Sequence, residues 1–152
     1  MKKLLTGIFI LVLTTGAFAQ SYLPGSARAK ELNEMYCSGL FSSQDGTYFD
    51  LESDEATSAI SYLNILDWLQ GRVAGLQVYQ YRTIRVPFMR NQPAAVYLDE
   101  MRVDYGTINM LPVADIAMIK VMKSSMAGPW GAPGGAIAIY TKRGEETDEE
   151  EG

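Results

Sequence analysis

Two carboxylates, Asp99 and Asp104, come closest in this chain to a catalytic pair. They flank a predicted hairpin and could face one cleft, and glycoside hydrolysis needs two carboxylates at a set separation across a sugar-binding groove. The chain contains no histidine, which excludes serine–histidine and cysteine–histidine nucleophiles. Its one cysteine cannot build a thiolate zinc site, and histidine-containing zinc sites are excluded as well. We therefore expect no enzymatic activity, no cofactor and no metal ion.

The glycine-rich segment Gly128–Gly135 contains Trp130. A phosphate-binding loop would need Lys and then Ser or Thr after its glycines, at the start of a helix. Here the strand-like run Ala136–Ile139 follows instead. The glycines fit a tight connection that requires positive φ angles. A tryptophan on such a loop is the first candidate for contact with a partner.

Seven aromatic side chains could form a face that binds a glycan or a peptide, because tyrosine and tryptophan combine an apolar ring with a polar tip. The other interpretation is ordinary core packing, which is the more frequent one for any single aromatic residue. The seven are Tyr79, Tyr81, Phe88, Tyr97, Tyr105, Trp130 and Tyr140.

The N-terminus has the order of an export signal. A start with two lysines precedes the apolar run Leu4–Leu13, and Ala17–Ala19 fits a small-x-small cleavage site before Gln20. This stretch is shorter than the ~18 residues of a membrane helix, and an uncleaved anchor is the alternative. We expect residues 1–19 to be removed, no membrane span to remain, and the protein to be periplasmic or associated with the outer membrane.

Charge and cysteine content limit the partners. Six of the 18 acidic residues lie in 145–151, which predicts a solvated, disordered tail over 145–152. The rest of the chain is nearly neutral, so we expect no nucleic-acid binding.

Cys37 is the single cysteine, and an internal disulfide is impossible. A partly buried free thiol is the favoured interpretation, and an intermolecular disulfide is the alternative.

The remaining pattern predicts an α+β fold, with short helices packed on a small mixed β-sheet. In an N-terminal extension, residues 20–56, Ser26 can cap a helix over about 27–36. A second unit, residues 57–144, begins with apolar residues at helical spacing and a cap at Asn64. Strands should follow at 76–78, 83–86 (stopped by Pro87), 95–98, 101–103, 118–122 and 136–141.

Three motifs lie in a fixed order in the second unit: Leu69-Gln70-Gly71-Arg72-Val73-Ala74-Gly75, then Val96-Tyr97-Leu98-Asp99, then a stretch from Asp115 that ends in Ile139-Tyr140-Thr141-Lys142-Arg143-Gly144. In order and spacing they resemble the plug domain of TonB-dependent outer-membrane receptors, closest to the glycan-importing branch. In those receptors a large barrel follows the plug, whereas eight residues follow Gly144 here. We therefore expect a free-standing, plug-like interaction module that is not itself a transporter, and a fragment of a longer reading frame is the alternative.

Three residues are candidates for partner binding, and two of them fall at elements of the family. Ile84-Arg85 falls at the family's Ile-Arg-Gly element, and Asp99-Glu100 falls where the family has Asp-Gly. We expect partner binding at Trp130, Arg85 and Asp99, with an envelope protein such as an outer-membrane receptor barrel as the partner. The alternative is a soluble glycan- or peptide-binding protein that uses an aromatic loop surface.

The export signal predicts the mature N-terminus. Protein recovered from the producing cells should give an N-terminal sequence that starts at or near Gln20, because signal peptidase cuts after the small-x-small site. Recovery of intact Met1 from the cytoplasm would remove the basis for an envelope location.

Overall fold

The computed structural model describes residues 21–43, 45–53, 57–123 and 132–143, so the predicted export signal, Trp130 and the acidic tail lie outside the described residues. The helices are α1 (Ala27–Tyr36), α2 (Thr57–Ile60), α3 (Ile65–Gln70) and α4 (Tyr105–Met110), with 3-10 turns at Gly39–Ser42 and Val113–Asp115. The strands are β1 (Ser21–Tyr22), β2 (Thr47–Asp50), β3 (Leu76–Tyr81), β4 (Ile84–Met89), β5 (Gln92–Pro93), β6 (Ala95–Leu98), β7 (Met101–Val103), β8 (Ile116–Met122) and β9 (Ala136–Thr141).

The strands form two sheets. A six-stranded sheet has the order β1-β2-β8-β9-β6-β7, and a three-stranded sheet has the order β3-β4-β5. Strands β6 and β9 pair in parallel, and the other neighbours pair antiparallel. The predicted hairpin between 95–98 and 101–103 is present as β6 and β7, and the last predicted strand is β9.

Side-chain caps start the helices where the sequence predicts them. Ser26 Oγ accepts a hydrogen bond from the Ala29 N–H at 3.1 Å, and Asn64 Oδ1 accepts one from the Leu66 N–H at 2.9 Å. Both predicted caps are confirmed, and each satisfies a backbone donor that the first helical turn leaves unpaired. Not every apolar residue at helical spacing in this region is buried, however, because Leu63 is 96% exposed. Among the described helices, none combines the length and the apolar character needed to cross a bilayer.

Strand β8 lies inside the large sheet and is buried along its whole length. The alternation of Ile119 and Val121 with Lys120 and Met122 predicts a half-buried strand, and this prediction is wrong. Ile119 and Val121 do pack into a first core, together with helix α3. Met122 packs into a second core on the opposite face, which helix α1 covers. The N-terminal segment supplies this second layer.

Strand β9 is buried in the same two-sided way. Ile137 and Ile139 are fully buried and belong to the first core, as the alternation of the strand predicts. Ala136, Ala138 and Tyr140 alternate with them and belong to the second core. Both central strands thus join the two layers of the molecule.

Lys120 places an amine inside the molecule, because its residue is 0% exposed. Its Nζ donates to Asn33 Oδ1 at 3.0 Å, to the Phe41 carbonyl at 2.6 Å and to the Ser43 carbonyl. It also lies 4.9 Å from the centroid of the Tyr48 ring. Burial lowers the pKa of this amine from its ordinary value, since desolvation disfavours the charged form. Oxygen acceptors and an aromatic face replace the lost water.

Strand β4 continues through Pro87 to Met89, so the prediction that this proline ends the strand is wrong. The Pro87 carbonyl accepts a hydrogen bond from the Ala94 N–H at 2.9 Å, on the side of β5. Pro87 lies opposite Val78 of β3. Because its backbone groups point away from β3, the missing N–H breaks no hydrogen bond between β3 and β4.

Replacement of Lys120 by methionine tests the buried ammonium. The variant keeps the apolar stem and removes the hydrogen bonds that Lys120 donates to the Phe41 carbonyl, the Ser43 carbonyl and Asn33 Oδ1, although Asn33 Oδ1 still accepts from the Tyr48 hydroxyl at 3.0 Å. We expect the free energy of unfolding to fall by about 1–3 kcal/mol or more, the penalty for unsatisfied buried acceptors. Denaturant unfolding followed by circular dichroism measures this. The matched control is Lys123→Met, at the residue that directly follows this strand, which should change stability by less than about 0.5 kcal/mol. Equal stability of the two variants would contradict the role of Lys120.

Candidate functional site

The predicted partner-binding residue Asp99 lies in the two-residue turn between β6 and β7. Both turn residues have positive φ, 46° at Asp99 and 69° at Glu100, as a primed hairpin turn requires. Asp99 Oδ1 accepts from the Thr141 N–H at 2.9 Å, and Oδ2 accepts from Thr141 Oγ1 at 2.8 Å. The carboxylate thus fastens the turn to the end of β9.

Glu100 occupies a turn position whose positive φ glycine would adopt without strain. Its carboxylate accepts hydrogen bonds from the N–H and the hydroxyl of Ser38, and from the Tyr140 hydroxyl at 3.3 Å. Left-handed backbone is unfavourable for a residue with a Cβ, by roughly 1–2 kcal/mol. The contacts to Ser38 offset that strain and connect the turn to the segment after helix α1.

A cleft of about 450 Å³ lies between the end of α1, the Asp99-Glu100 turn and the end of β9. Cys37 lines it as a free, half-buried thiol, which agrees with the favoured sequence interpretation. Burial raises the pKa of this thiol, so it stays protonated at neutral pH and is a poor nucleophile. Glu100 and Arg143 also line the cleft, so its wall carries both signs of charge.

The second carboxylate of the proposed catalytic pair, Asp104, caps helix α4. Its Oδ1 accepts from the Thr107 N–H and its Oδ2 from the Thr107 hydroxyl, each at 3.0 Å. These hydrogen bonds lower the pKa of the Asp104 carboxyl. A general acid of a glycosidase needs a raised pKa, and Asp104 has the opposite shift. Within the described residues, no group of histidine, cysteine and acidic side chains is arranged to hold a metal ion.

Arg85, the second predicted partner-binding residue, forms an ion pair within the chain. Its Nε lies 2.6 Å from Asp67 Oδ2, on helix α3. Its backbone N–H donates to Asn109 Oδ1 at 3.0 Å, and its carbonyl accepts from Asn109 Nδ2 at 3.1 Å. Arg85 therefore holds the small sheet against α3 and α4, and its charge has a partner before any other protein binds.

The face of the small sheet that points away from the core is apolar. Cross-strand pairs place Tyr79 beside Val86 and Tyr81 beside Ile84. This face, called the outer face, consists of Gln77, Tyr79, Tyr81, Ile84, Val86 and Phe88. The opposite face carries Leu76, Val78 and Met89, which pack into or against the first core.

Three apolar or aromatic side chains on the outer face are unusually exposed to solvent. Tyr79 is 45% exposed, Tyr81 59% and Ile84 41%. The Tyr79 ring packs edge-on against Phe88, with centroids 5.2 Å apart. When one face of a sheet is exposed to solvent, that face normally carries polar residues. Gln77 is the polar member of the outer face, and its Oε1 accepts the Tyr79 hydroxyl hydrogen bond at 2.8 Å.

The seven candidate aromatic residues divide between the interior and this face. Tyr97 and Tyr140 are buried, and the half-buried Tyr105 donates its hydroxyl to the Ala94 carbonyl at 3.0 Å. Tyr79, Tyr81 and Phe88 come together on the outer face, while Trp130 lies outside the described residues. The signal that could have found this cluster is the alternation of aromatic residues in Val78–Tyr81 together with the apolar residues after the turn.

No protein-family model matches this chain, and no curated protein matches it. Several solved structures do. The ferric enterobactin receptor of Pseudomonas aeruginosa, solved in complex with enterobactin, is 19% identical over 64% of this chain, with a TM-score of 0.51. The RagAB peptide importer in its open-open state is 22% identical over 56% of this chain, with a TM-score of 0.47.

At such identity the likeness shows the fold alone. The match covers 17% of the enterobactin receptor chain, so this chain corresponds to a small part of that protein. The described residues form a mixed α/β, plug-like fold similar to that of TonB-dependent receptors, which confirms the predicted fold class.

A pair of variants at Glu100 tests the strained turn. Glu100→Ala loses the Ser38 contacts and keeps a Cβ at positive φ, whereas Glu100→Gly loses the contacts and relieves the strain. We expect the alanine variant to be less stable than the glycine variant by about 1 kcal/mol. Urea unfolding of both proteins gives the difference. Equal stabilities, or a less stable glycine variant, would show that Glu100 is not held in a strained conformation.

Proposed function

We propose that this protein is a non-catalytic, plug-like interaction module of the periplasm or the outer membrane, and that it binds an envelope protein through the outer face. The observation that carries the proposal is the apolar, aromatic character of a sheet face that points away from the core. Contiguous exposed apolar surface is rare on proteins without partners and marks interaction sites.

The composition of the outer face fits a protein partner. Tyrosine and phenylalanine are enriched at the centres of protein interfaces, and charged residues are depleted there. The outer face contains no charged residue. Its backbone is fixed by a continuous six-pair register between β3 and β4, so little conformational entropy is lost when it is covered.

A chemical role is less well supported. The thiol in the cleft is held protonated, Asp104 is held ionised by its cap, and Asp99 is engaged by Thr141. The two carboxylates serve the fold, and these three groups supply no acid–base pair. Binding without turnover is therefore the function that we propose.

Substitution of one exposed cross-strand pair on the outer face, Tyr81 and Ile84, tests the proposal. Tyr81→Ser with Ile84→Ser should lower recovery of an envelope protein at least about tenfold, equivalent to ~1.4 kcal/mol. Thermal unfolding should change little, because neither side chain belongs to either core. Affinity capture from detergent-treated envelopes, with recovery quantified by mass spectrometry, measures the loss.

The control removes apolar side chains elsewhere that are more exposed than this pair, with Leu40→Ser and Met101→Ser, which are 65% and 68% exposed in the native chain. It should retain capture. If the outer-face variant captures the same proteins at native levels, the outer face is not the binding surface. Binding of purified oligosaccharide or peptide that disappears in the outer-face variant would favour the alternative function, a glycan- or peptide-binding protein that uses these tyrosine rings.

A further inference from the structure

Strand β3 is the least protected edge among the described strands. The other edges are short or blunted: β1 has two residues, β5 has two and ends in Pro93, and β7 has three and includes Arg102. Strand β3 has six residues, none of them charged or proline, and its register with β4 has no bulge. Natural proteins protect exposed edges with charge, proline, bulges or short length, because an open edge pairs with another chain.

The free backbone groups of β3 can be assigned. The Pro87 carbonyl points to Ala94, away from β3, so Val78 opposite it does not exchange hydrogen bonds with β4. The N–H and the carbonyl of Val78 therefore point to the open edge. By alternation those of Gln80 and the Leu76 carbonyl do as well, while the Leu76 N–H donates to the Val73 carbonyl at 3.1 Å.

We propose that a second copy of this chain pairs antiparallel with β3 about a two-fold axis at Val78. The two Val78 residues then exchange both backbone hydrogen bonds, and each Gln80 N–H reaches the Leu76 carbonyl of the other copy. The two three-stranded sheets become one continuous sheet. This interface is isologous, the usual arrangement in homodimers.

The edge is complementary to itself in this register. Tyr79 lies beside Gln77 of the other copy on the outer side, and Leu76 lies beside Gln80 on the inner side. Like charges opposite each other destabilise strand pairs, and no charged residue lies in Leu76–Tyr81. The nearest charge, Arg82 in the turn, falls opposite Ala74. Self-pairing therefore places no like charges directly opposite each other, which favours a second copy as the occupant of this edge.

Pairing would also join the two outer faces side by side, into a larger apolar surface than either copy has alone. The dimer goes beyond the proposed function and does not depend on it, because it concerns the chain by itself. The two proposals can fail separately. Capture of an envelope protein tests partner binding by the outer face, and association of the purified chain tests pairing at the β3 edge.

Cysteine cross-linking tests the register. In a Cys37→Ser background, Val78→Cys places two thiols on the two-fold axis, with Cα atoms about 5.5 Å apart, which suits a disulfide. The matched control, Gln80→Cys, places them four residues apart along the strands, about 13 Å, which excludes one. We expect mild oxidation to give a covalent dimer for Val78→Cys and a monomer for Gln80→Cys, on non-reducing gels.

Sedimentation velocity between about 1 and 200 µM, a range that covers weak dimers, tests association without cross-linking. The native chain should dimerise, and Gln80→Lys should be monomeric with an unchanged circular dichroism spectrum, because lysine on an edge strand opposes pairing. Met101→Lys, the same charge on the β7 edge, should still dimerise. A native chain that is monomeric throughout, a dimer that survives Gln80→Lys, or equal cross-linking of the two cysteine variants would overturn the proposal.

Discussion

The two-layered structure depends on the hydrogen bonds of one buried ammonium. Lys120 lies on β8, a strand inside the large sheet, and its Nζ binds oxygens of Asn33, Phe41 and Ser43 from the N-terminal segment. An ammonium without partners could not be buried there, because desolvation of the charge is far too unfavourable. Burial of lysine in β8 therefore depends on the segment that carries α1. That segment also forms a second core, which the strand pattern alone does not indicate.

The small sheet is held by a different kind of contact, centred on one amide. Asn109 accepts from the Arg85 N–H at 3.0 Å and from Asn64 Nδ2 at 3.1 Å, and it donates to the Arg85 carbonyl at 3.1 Å. It thus joins α4 to β4 and to the start of α3. Because these polar contacts and the first core fix the inner side of the sheet, its outer face and the β3 edge are left to solvent. That arrangement makes them available to partners.

Local signals predicted much of the fold. Ser26 and Asn64 are caps because a short polar side chain precedes an apolar helical pattern, and that chemistry involves only a few neighbouring residues. The second face of β8 was not predictable, because its cover comes from residues more than 70 positions away in sequence, such as Asn33, whose hydrogen bond to Lys120 spans 87 positions. The passage of β4 through Pro87 was missed for the same reason, since it depends on which neighbouring strand each backbone group faces. Of the candidate site, the aromatic residues could be named from the sequence, but their division between core and outer face depends on tertiary packing.

The turn at Asp99 and Glu100 shows how a local signal can be overridden. Glutamate is a poor residue for positive φ, and the local sequence alone would disfavour the primed turn. The turn forms because Asp99 binds Thr141 and Glu100 binds Ser38, so contacts from β9 and from the end of α1 supply what glycine would have supplied. A glycine there would make the turn independent of its surroundings. With glutamate, the β6–β7 hairpin is coupled to both the N-terminal segment and the last strand, so these three parts of the molecule should gain and lose their order together.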